Sequence, residues 1–182
     1  MQFKNVVIQS LTSIDAPITM TSEEIGERLR PVMKRLGLRP GLIEELTGIN
    51  TRRFWNSDTQ PSDAATMAAE KAITEAGIDR NQIGVLINTS VCRDDLEPST
   101  ACLVHGNLGL HERCLNFDIG NACLAFLNGM DVAARMIERG EVEYALIVDG
   151  ESSQPITEAT IERLLQPGVE EEQFRAEFAS LT

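Results

Sequence analysis

The sequence predicts an α/β fold, a largely parallel sheet with helices on both faces, and three observations carry that prediction. Short apolar runs of strand type recur at 3–10 (FKNVVIQS), 83–88 (IGVLIN), 114–118 (CLNFD) and 144–149 (YALIVD). The last three are separated by helical patterns of ten or more residues, the length a right-handed crossover between parallel strands needs. Of the 182 residues, 42% are apolar, enough for a packed core in one domain of ordinary size.

Each element has its own local cause. Residues 3–10 read as a first strand, followed by the polar stretch Thr12–Thr21. Thr21 with Glu24 forms a capping-box pattern, and Ile25, Leu29, Val32, Met33 and Leu36 share one helical face that stops at Gly37. Pro31 inside that helix is expected to kink it. A short helical piece, Pro40 to Leu46, precedes a basic-aromatic loop, Thr51-Arg52-Arg53-Phe54-Trp55. Ser62 is placed to cap a helix over 63–76, and Gly77 suits its left-handed C-terminal end.

After the strand at 83–88, Pro98 is expected to open a helix running to about Leu108. The strand at 114–118 leads into a long helix over 122–139, whose inner side is read as Phe126, Leu127, Met130, Ala133, Ala134 and Ile137. Beyond the strand at 144–149, residues 156–182 hold six Glu against two Arg and read as an acidic, exposed helical extension broken at Pro167-Gly168.

Composition excludes several function classes. With 28 acidic and 16 basic residues the net charge is −12, which opposes binding to nucleic acid or to an anionic membrane. The apolar start carries one Lys and is too short for a secretory signal, and no window approaches 18 unbroken apolar residues, so a cytoplasmic protein without a membrane span is expected. Cys92, Cys102, Cys114, Cys123, His105 and His111 show no metal-ligand spacing, so neither a metal site nor a disulfide framework is expected.

Three features bear on chemistry. In Phe117-Asp118-Ile119-Gly120-Asn121-Ala122-Cys123 a buried strand passes through a tight turn into a helix. That places Cys123 in the first helical turn, where free amides and the helix dipole favour a thiolate nucleophile. The alternative is a buried cysteine acting as a small hydrophobe. Asp94, Asp95 and Glu97 precede Pro98, where one of them is a candidate general base and all simply suit a helix N-terminus. Arg52 and Arg53 beside the single Trp55 are candidates to hold a nucleotide's phosphates and base, or else form surface ion pairs. His105 and His111 read as structural.

Five segments appear together in one order: Thr47-Gly48-Ile49-Asn50-Thr51-Arg52-Arg53, Ser62-Asp63 with the Ala-rich helix after it, Glu97-Pro98-Ser99-Thr100-Ala101, Phe117 through Phe126, and Ala145 through Glu151. In that order they resemble the thiolase superfamily, specifically its ketoacyl synthase III-like condensing enzymes, and among these the head-to-head acyl-CoA condensing enzymes of bacterial olefin biosynthesis. The resemblance implies a thiolase-like fold and a non-decarboxylative Claisen condensation of two fatty acyl-CoA molecules to a 2-alkyl-3-ketoacid. It implies that Cys123 is the acyl-accepting nucleophile and that Glu97, on a loop reaching into a partner subunit, is the base. Arg52, Arg53 and Trp55 fall where such enzymes hold the CoA nucleotide, and no cofactor is implied. The catalytic His and Asn of the family lie in a second half, so residues 1–182 are expected to be an N-terminal half needing a second chain, with a dimer of such pairs. Two other readings stand beside this one: a decarboxylative synthase III, and a non-catalytic partner subunit.

Overall fold

A computed structural model describes residues 2–181; the outer limits of the expected 1–182 half, Met1 and Thr182, lie outside the described residues. In chain order its elements are β1 (Ile18–Thr21), α1 (Ser22–Arg35), α2 (Leu42–Thr47), β2 (Thr51–Phe54), α3 (Pro61–Ala76), β3 (Ile83–Asn88), α4 (Thr100–Leu108), β4 (Leu115–Asp118), α5 (Ala125–Glu138), β5 (Tyr144–Val148), α6 (Gln154–Leu164) and α7 (Glu171–Phe178). They group into two compact units. A sheet unit comprises residues 2–14 with Thr59–Ser152, and a helical unit comprises Asp15–Asp58 with residues 153–181.

In the sheet unit β3 lies between β4 and β5 and is parallel to both. Side chains alternate across β3, so Leu86 faces a cluster with Ala65, Ala69 and Ile73 of α3 and Ala101, Val104 and Leu108 of α4. Val85 and Ile87 face the opposite way, toward Ala133 of α5. A parallel strand covered on both faces must be apolar throughout, which is why IGVLIN was legible as one. The inner stripe of α5 departs from expectation. Its buried residues are Ala125, Gly129, Ala133 and Ala134, whereas Leu127 is 59% exposed. A Cβ at Gly129 would come within 3.0 Å of Thr89 Cγ2 and 3.2 Å of Ile147 Cγ2, so the helix rests on the sheet through small residues.

Residues 3–10 form no strand. Ser10 and Thr12 donate their hydroxyls to the carbonyls of Ala72 and Ala68 on α3, and the backbone amides of Lys4 and Asn5 donate to Glu138 on α5. The segment is held by side-chain bonds, and Val7 and Ile8 stay exposed, because an apolar run becomes a strand only where a neighbouring backbone pairs with it.

The helical unit corrects two further expectations. The basic-aromatic stretch at 51–55 is a strand over most of its length: β2 pairs antiparallel with β1, Met20 opposite Arg52 and Thr19 opposite Arg53. Thr, Arg and Phe suit a ribbon that buries only alternate residues. The acidic tail is also more than an exposed extension. Ile161, Leu164, Val169, Phe174, Phe178 and Leu181 are buried with Ile25, Leu29, Val32 and Met33 of α1 in one core, and the Phe174 and Phe178 rings stack with centroids 5.1 Å apart. Its glutamates lie outside that stripe, and three of the six pair with arginines, Glu158 with Arg28, Glu177 with Arg163 and Glu171 with Arg175. The Thr21–Glu24 capping box is present, and α1 continues through Pro31 to Arg35.

Candidate active site

Polar groups concentrate where β3, β4 and β5 end at their C-termini, the edge at which open parallel sheets place ligands. Asn88, Thr89, Ser90 and Thr100 are buried there, and every buried side-chain nitrogen or oxygen among the described residues has a partner. Asn88 Nδ2 donates to Asp118 Oδ1 at 3.2 Å. Ser90 Oγ donates to Asn88 Oδ1 at 2.7 Å and accepts from the Gly150 amide at 2.7 Å.

Cys123 stands directly after β4, as the sequence expects, but not in the first turn of the α-helix. It occupies a 3-10 turn, Ala122–Leu124, that precedes α5, and it is exposed. Ala122 before it has φ 44°, a left-handed conformation that costs a non-glycine residue about 1–2 kcal/mol. Such strain persists only where surrounding structure enforces it, and it commonly marks a functional turn. Here the enforcing contacts include the Asn121 Nδ2 bond to Asn128 Oδ1 at 2.7 Å and the Ile119 amide bond to the Asn88 carbonyl at 2.8 Å. The result is a thiol exposed on a sharp strand-to-helix turn.

Glu97 lies on the loop between β3 and α4 and is exposed. Pro98 does not open the helix. The Glu97–Pro98 peptide is cis, Ser99 caps α4 by accepting from the Cys102 amide, and the helix begins at Thr100. Asp118 accepts the Thr100 and Ala101 amides at 3.3 and 2.8 Å, and Arg93 lies 4.0 Å from the same carboxylate. Asp118, at the end of β4, therefore ties the start of α4 and Arg93 of the preceding loop to the strand that leads into the Cys123 turn.

Asp94, read as either a base or a helix-terminal charge, is a bridge. It accepts from Ser62 N and Oγ at the start of α3, the shorter bond being 2.6 Å, and from Thr100 Oγ1 at 3.4 Å. Ser62 is thereby diverted from the capping role expected of it, and Gln60 with Asp63 forms the box instead. Sequence reading missed Glu151, whose Oε1 and Oε2 accept the Val91 and Cys92 amides at 2.6 and 3.0 Å. Burial, with the neighbouring Glu151 and Asp149 carboxylates, pushes the Cys92 thiol up to about 11. Burial first, then the Glu151 charge, also raises the Asp149 carboxyl. The signal available in the sequence was two carboxylates just past a buried strand; their partners lie about sixty residues away.

The candidate nucleotide contacts sit in the helical unit. Arg52 and Arg53 are neighbours on a strand and point to opposite faces of the ribbon. Arg52 is half-buried and donates to Ser22 Oγ at 2.8 Å and the Leu181 carbonyl at 2.9 Å. Arg53 is exposed, with one bond to the Ala16 carbonyl at 3.0 Å, and Trp55 is half-buried just past the strand end. The two guanidinium groups therefore leave the ribbon on opposite sides. Among the described residues no group of three His, Cys, Asp or Glu side chains could hold a metal ion.

Comparison with known proteins fits this geometry. The family model for 3-oxoacyl-[acyl-carrier-protein] synthase III matches residues 117–164, which span the Cys123 turn and β5. The chain is 57% identical, over its whole length, to an acyl-CoA:acyl-CoA alkyltransferase of Xanthomonas campestris and covers 54% of that protein. It is 39% identical over 91% of its length to an enzyme of the same description from Shewanella oneidensis, covering 47% of it. A β-ketoacyl-[acyl-carrier-protein] synthase III of Sodalis glossinidius is 37% identical over 58% of the chain, which covers 33% of that enzyme. Among solved structures, Xanthomonas campestris OleA carrying a glutamate-to-glutamine replacement superposes with a TM-score of 0.95 at 56% identity, over 98% of this chain and 55% of that one. The same enzyme bound to cerulenin superposes equally well. The chain thus spans about half the length of the curated relatives it matches, and it has the thiolase-like fold of their N-terminal half.

Proposed function

We propose, for a chain that matches in sequence and fold the N-terminal half of the ketoacyl synthase III-like condensing enzymes, that it carries the nucleophile and the base of an acyl-CoA:acyl-CoA condensation. The observation that carries the proposal is Cys123, exposed on a strained turn between β4 and α5. Its thiolate attacks the thioester carbonyl of a first acyl-CoA and expels CoA, leaving an acyl-enzyme. Glu97 removes an α-proton from a second acyl-CoA, and the resulting carbanion displaces the Cys123 thiolate from the acyl carbonyl. Hydrolysis of the remaining thioester yields a 2-alkyl-3-ketoacid. A base is required because an unactivated acyl-CoA has no carboxylate to lose.

A C-terminal half, in the same or a second polypeptide, supplies the His and Asn that stabilise charge on the carbonyl oxygen, and such pairs form a dimer. The exposure of Glu97 suits a base that acts on a neighbouring subunit's substrate. Arg53 and Trp55 are the proposed CoA contacts, with Arg52 supporting them from its bonds to Ser22 and Leu181. No helix among the described residues is long and apolar enough to cross a membrane.

The test uses an enzyme in which this chain is assembled with a C-terminal half and supplied with myristoyl-CoA. Cys123→Ala should abolish acylation and condensation together, whereas Glu97→Gln should abolish condensation and leave acylation intact. The likeness to a β-ketoacyl-[acyl-carrier-protein] synthase III motivates a second reading, decarboxylative condensation. Dependence on a malonyl thioester with no loss in Glu97→Gln would establish that reading instead.

A further inference from the structure

The loop that carries Glu97 is fastened at both feet and free at its tip. At the first foot, the Glu151 carboxylate, from just past β5, accepts the successive amides of Val91 and Cys92. At the second, Asp94 takes the Ser62 amide and hydroxyl at the start of α3 and the Thr100 hydroxyl at the start of α4. Ser99 closes the far side by capping α4. Between these anchors Asp95, Leu96, Glu97 and Pro98 are exposed, Leu96 at 84%. A loop held only by its own backbone would wander through many conformers, and fixing each residue costs conformational entropy. Here the cost is met at positions 91, 92 and 94, outside the tip, by charge-assisted bonds, and Asp94 also sits at the positive end of the α3 dipole.

We propose that Asp94 is a positioning residue for Glu97, with Glu151 as its counterpart at the other foot. This rests on the reading of Glu97 as the base. Asp94 touches no reacting atom. It locks the residue at the base of the tip to two helices at once, which narrows the positions the tip can reach. Proton abstraction from carbon tolerates little misplacement of the base, and an error of about 1 Å in a reacting group can cost on the order of a hundredfold in rate. Acylation of Cys123 does not pass through this loop and needs none of that precision.

The experiment compares Asp94→Ala, Asp94→Asn and Ser62→Ala in the assembled enzyme with myristoyl-CoA, measuring acylation and condensation separately. Acylation is read as first-turnover CoA release together with the acyl adduct on Cys123 by intact mass. The expected result for Asp94→Ala is a roughly 10- to 100-fold loss of condensation, with acylation and the KM for the first acyl-CoA within about twofold of the parent. Asp94→Asn keeps an oxygen acceptor for Ser62 and should recover part of the loss. Ser62→Ala removes the 2.6 Å hydroxyl bond from the α3 side, leaves the backbone amide at residue 62 in place and does not alter the loop, so it should show the same selective loss in smaller degree, and it carries the test if Asp94→Ala fails to fold. Condensation unchanged in both Asp94→Ala and Ser62→Ala, or acylation falling in step with condensation, would overturn the proposal. If Glu97→Gln itself condenses normally, it is the assignment of the base that has failed.

Discussion

Two cysteines of the sheet unit show how position in the chain and position in space diverge at the scale of single residues. Cys123 could be singled out from sequence because its surroundings are local: a strand, a Gly-Asn turn and a helix within ten residues. Cys92 could not, because what governs it comes from 59 and 60 residues further on. Its thiol donates to the Ser152 carbonyl at 3.5 Å beside the Glu151 carboxylate, and it is pushed up to about 11. An ordinary thiol titrates near 8.5–9, so a Cys92 thiol raised to about 11 carries roughly a hundredfold less thiolate at pH 8. Iodoacetamide at pH 8 should therefore label Cys92 on the order of a hundredfold more slowly in the folded chain than after urea unfolding, as read by peptide mass mapping. Equal rates in the two states would show that Cys92 is not held in this environment. The bridge made by Asp94 was illegible for the same reason, since Ser62 lies 32 residues upstream and the sequence favoured a cap for it.

At the scale of elements, the strands that could be read were those whose pairing partners are inside the chain, and most plainly the one whose two faces are also both covered. The run at 83–88 meets both conditions, those at 114–118 and 144–149 meet the first, with Leu115 left 57% exposed, and residues 3–10 meet neither, although their composition is as strand-like as the others. The stretch at 51–55 failed the other way, its arginines hiding a ribbon that buries one face only. Helix placement is set by close approach as much as by apolar stripes. Gly150, just past β5, lies against the start of α3: a Cβ there would fall 2.1 Å from the Pro61 carbonyl oxygen and 2.7 Å from the Ala65 amide nitrogen. Both are backbone atoms and cannot rotate away. Gly150→Ala should then destabilise the sheet unit by about 3 kcal/mol, the upper end of ordinary overpacking, and lower its urea midpoint without changing the slope. Gly129→Ala meets only side-chain methyls, at 3.0 and 3.2 Å, and gains helix propensity of about 1 kcal/mol, so its loss should be clearly smaller. Equal losses would mean that α3 and α5 are equally free to shift.

For the molecule as a whole, the two units differ in how acid acts on them, and the chain carries one reporter in each. In the helical unit, hydrogen bonds from Thr21 hold the Glu24 carboxyl below the usual carboxylate range, the Arg28 guanidinium does the same for Glu158, and Arg163 with Gln173 does so for Glu177. A carboxylate whose folded pKa is depressed contributes stability above its unfolded pKa, near 4.3 for glutamate, and loses it as pH falls through the lower folded value. Glu24 is exposed and Glu158 and Glu177 are only partly buried, so each contributes little alone, but all three weaken together. In the sheet unit the Asp149 carboxyl is pushed up by burial and by Glu151, so the folded state binds its proton more readily than the unfolded chain does. That group costs stability at neutral pH and regains it as pH falls, the opposite sign. The single Trp, at position 55, belongs to the helical unit, and the single Tyr, at position 144, to the sheet unit. Acid titration from pH 7 to pH 2 should therefore move the Trp55 emission at a higher pH than the Tyr144 emission, and Glu158→Gln should narrow the gap by removing one of the three acid-sensitive pairs. If the two signals move together in the parent chain, the units unfold as one cooperative body, and the charge pairs of the acidic helices stabilise the sheet that holds Cys123 as much as their own core.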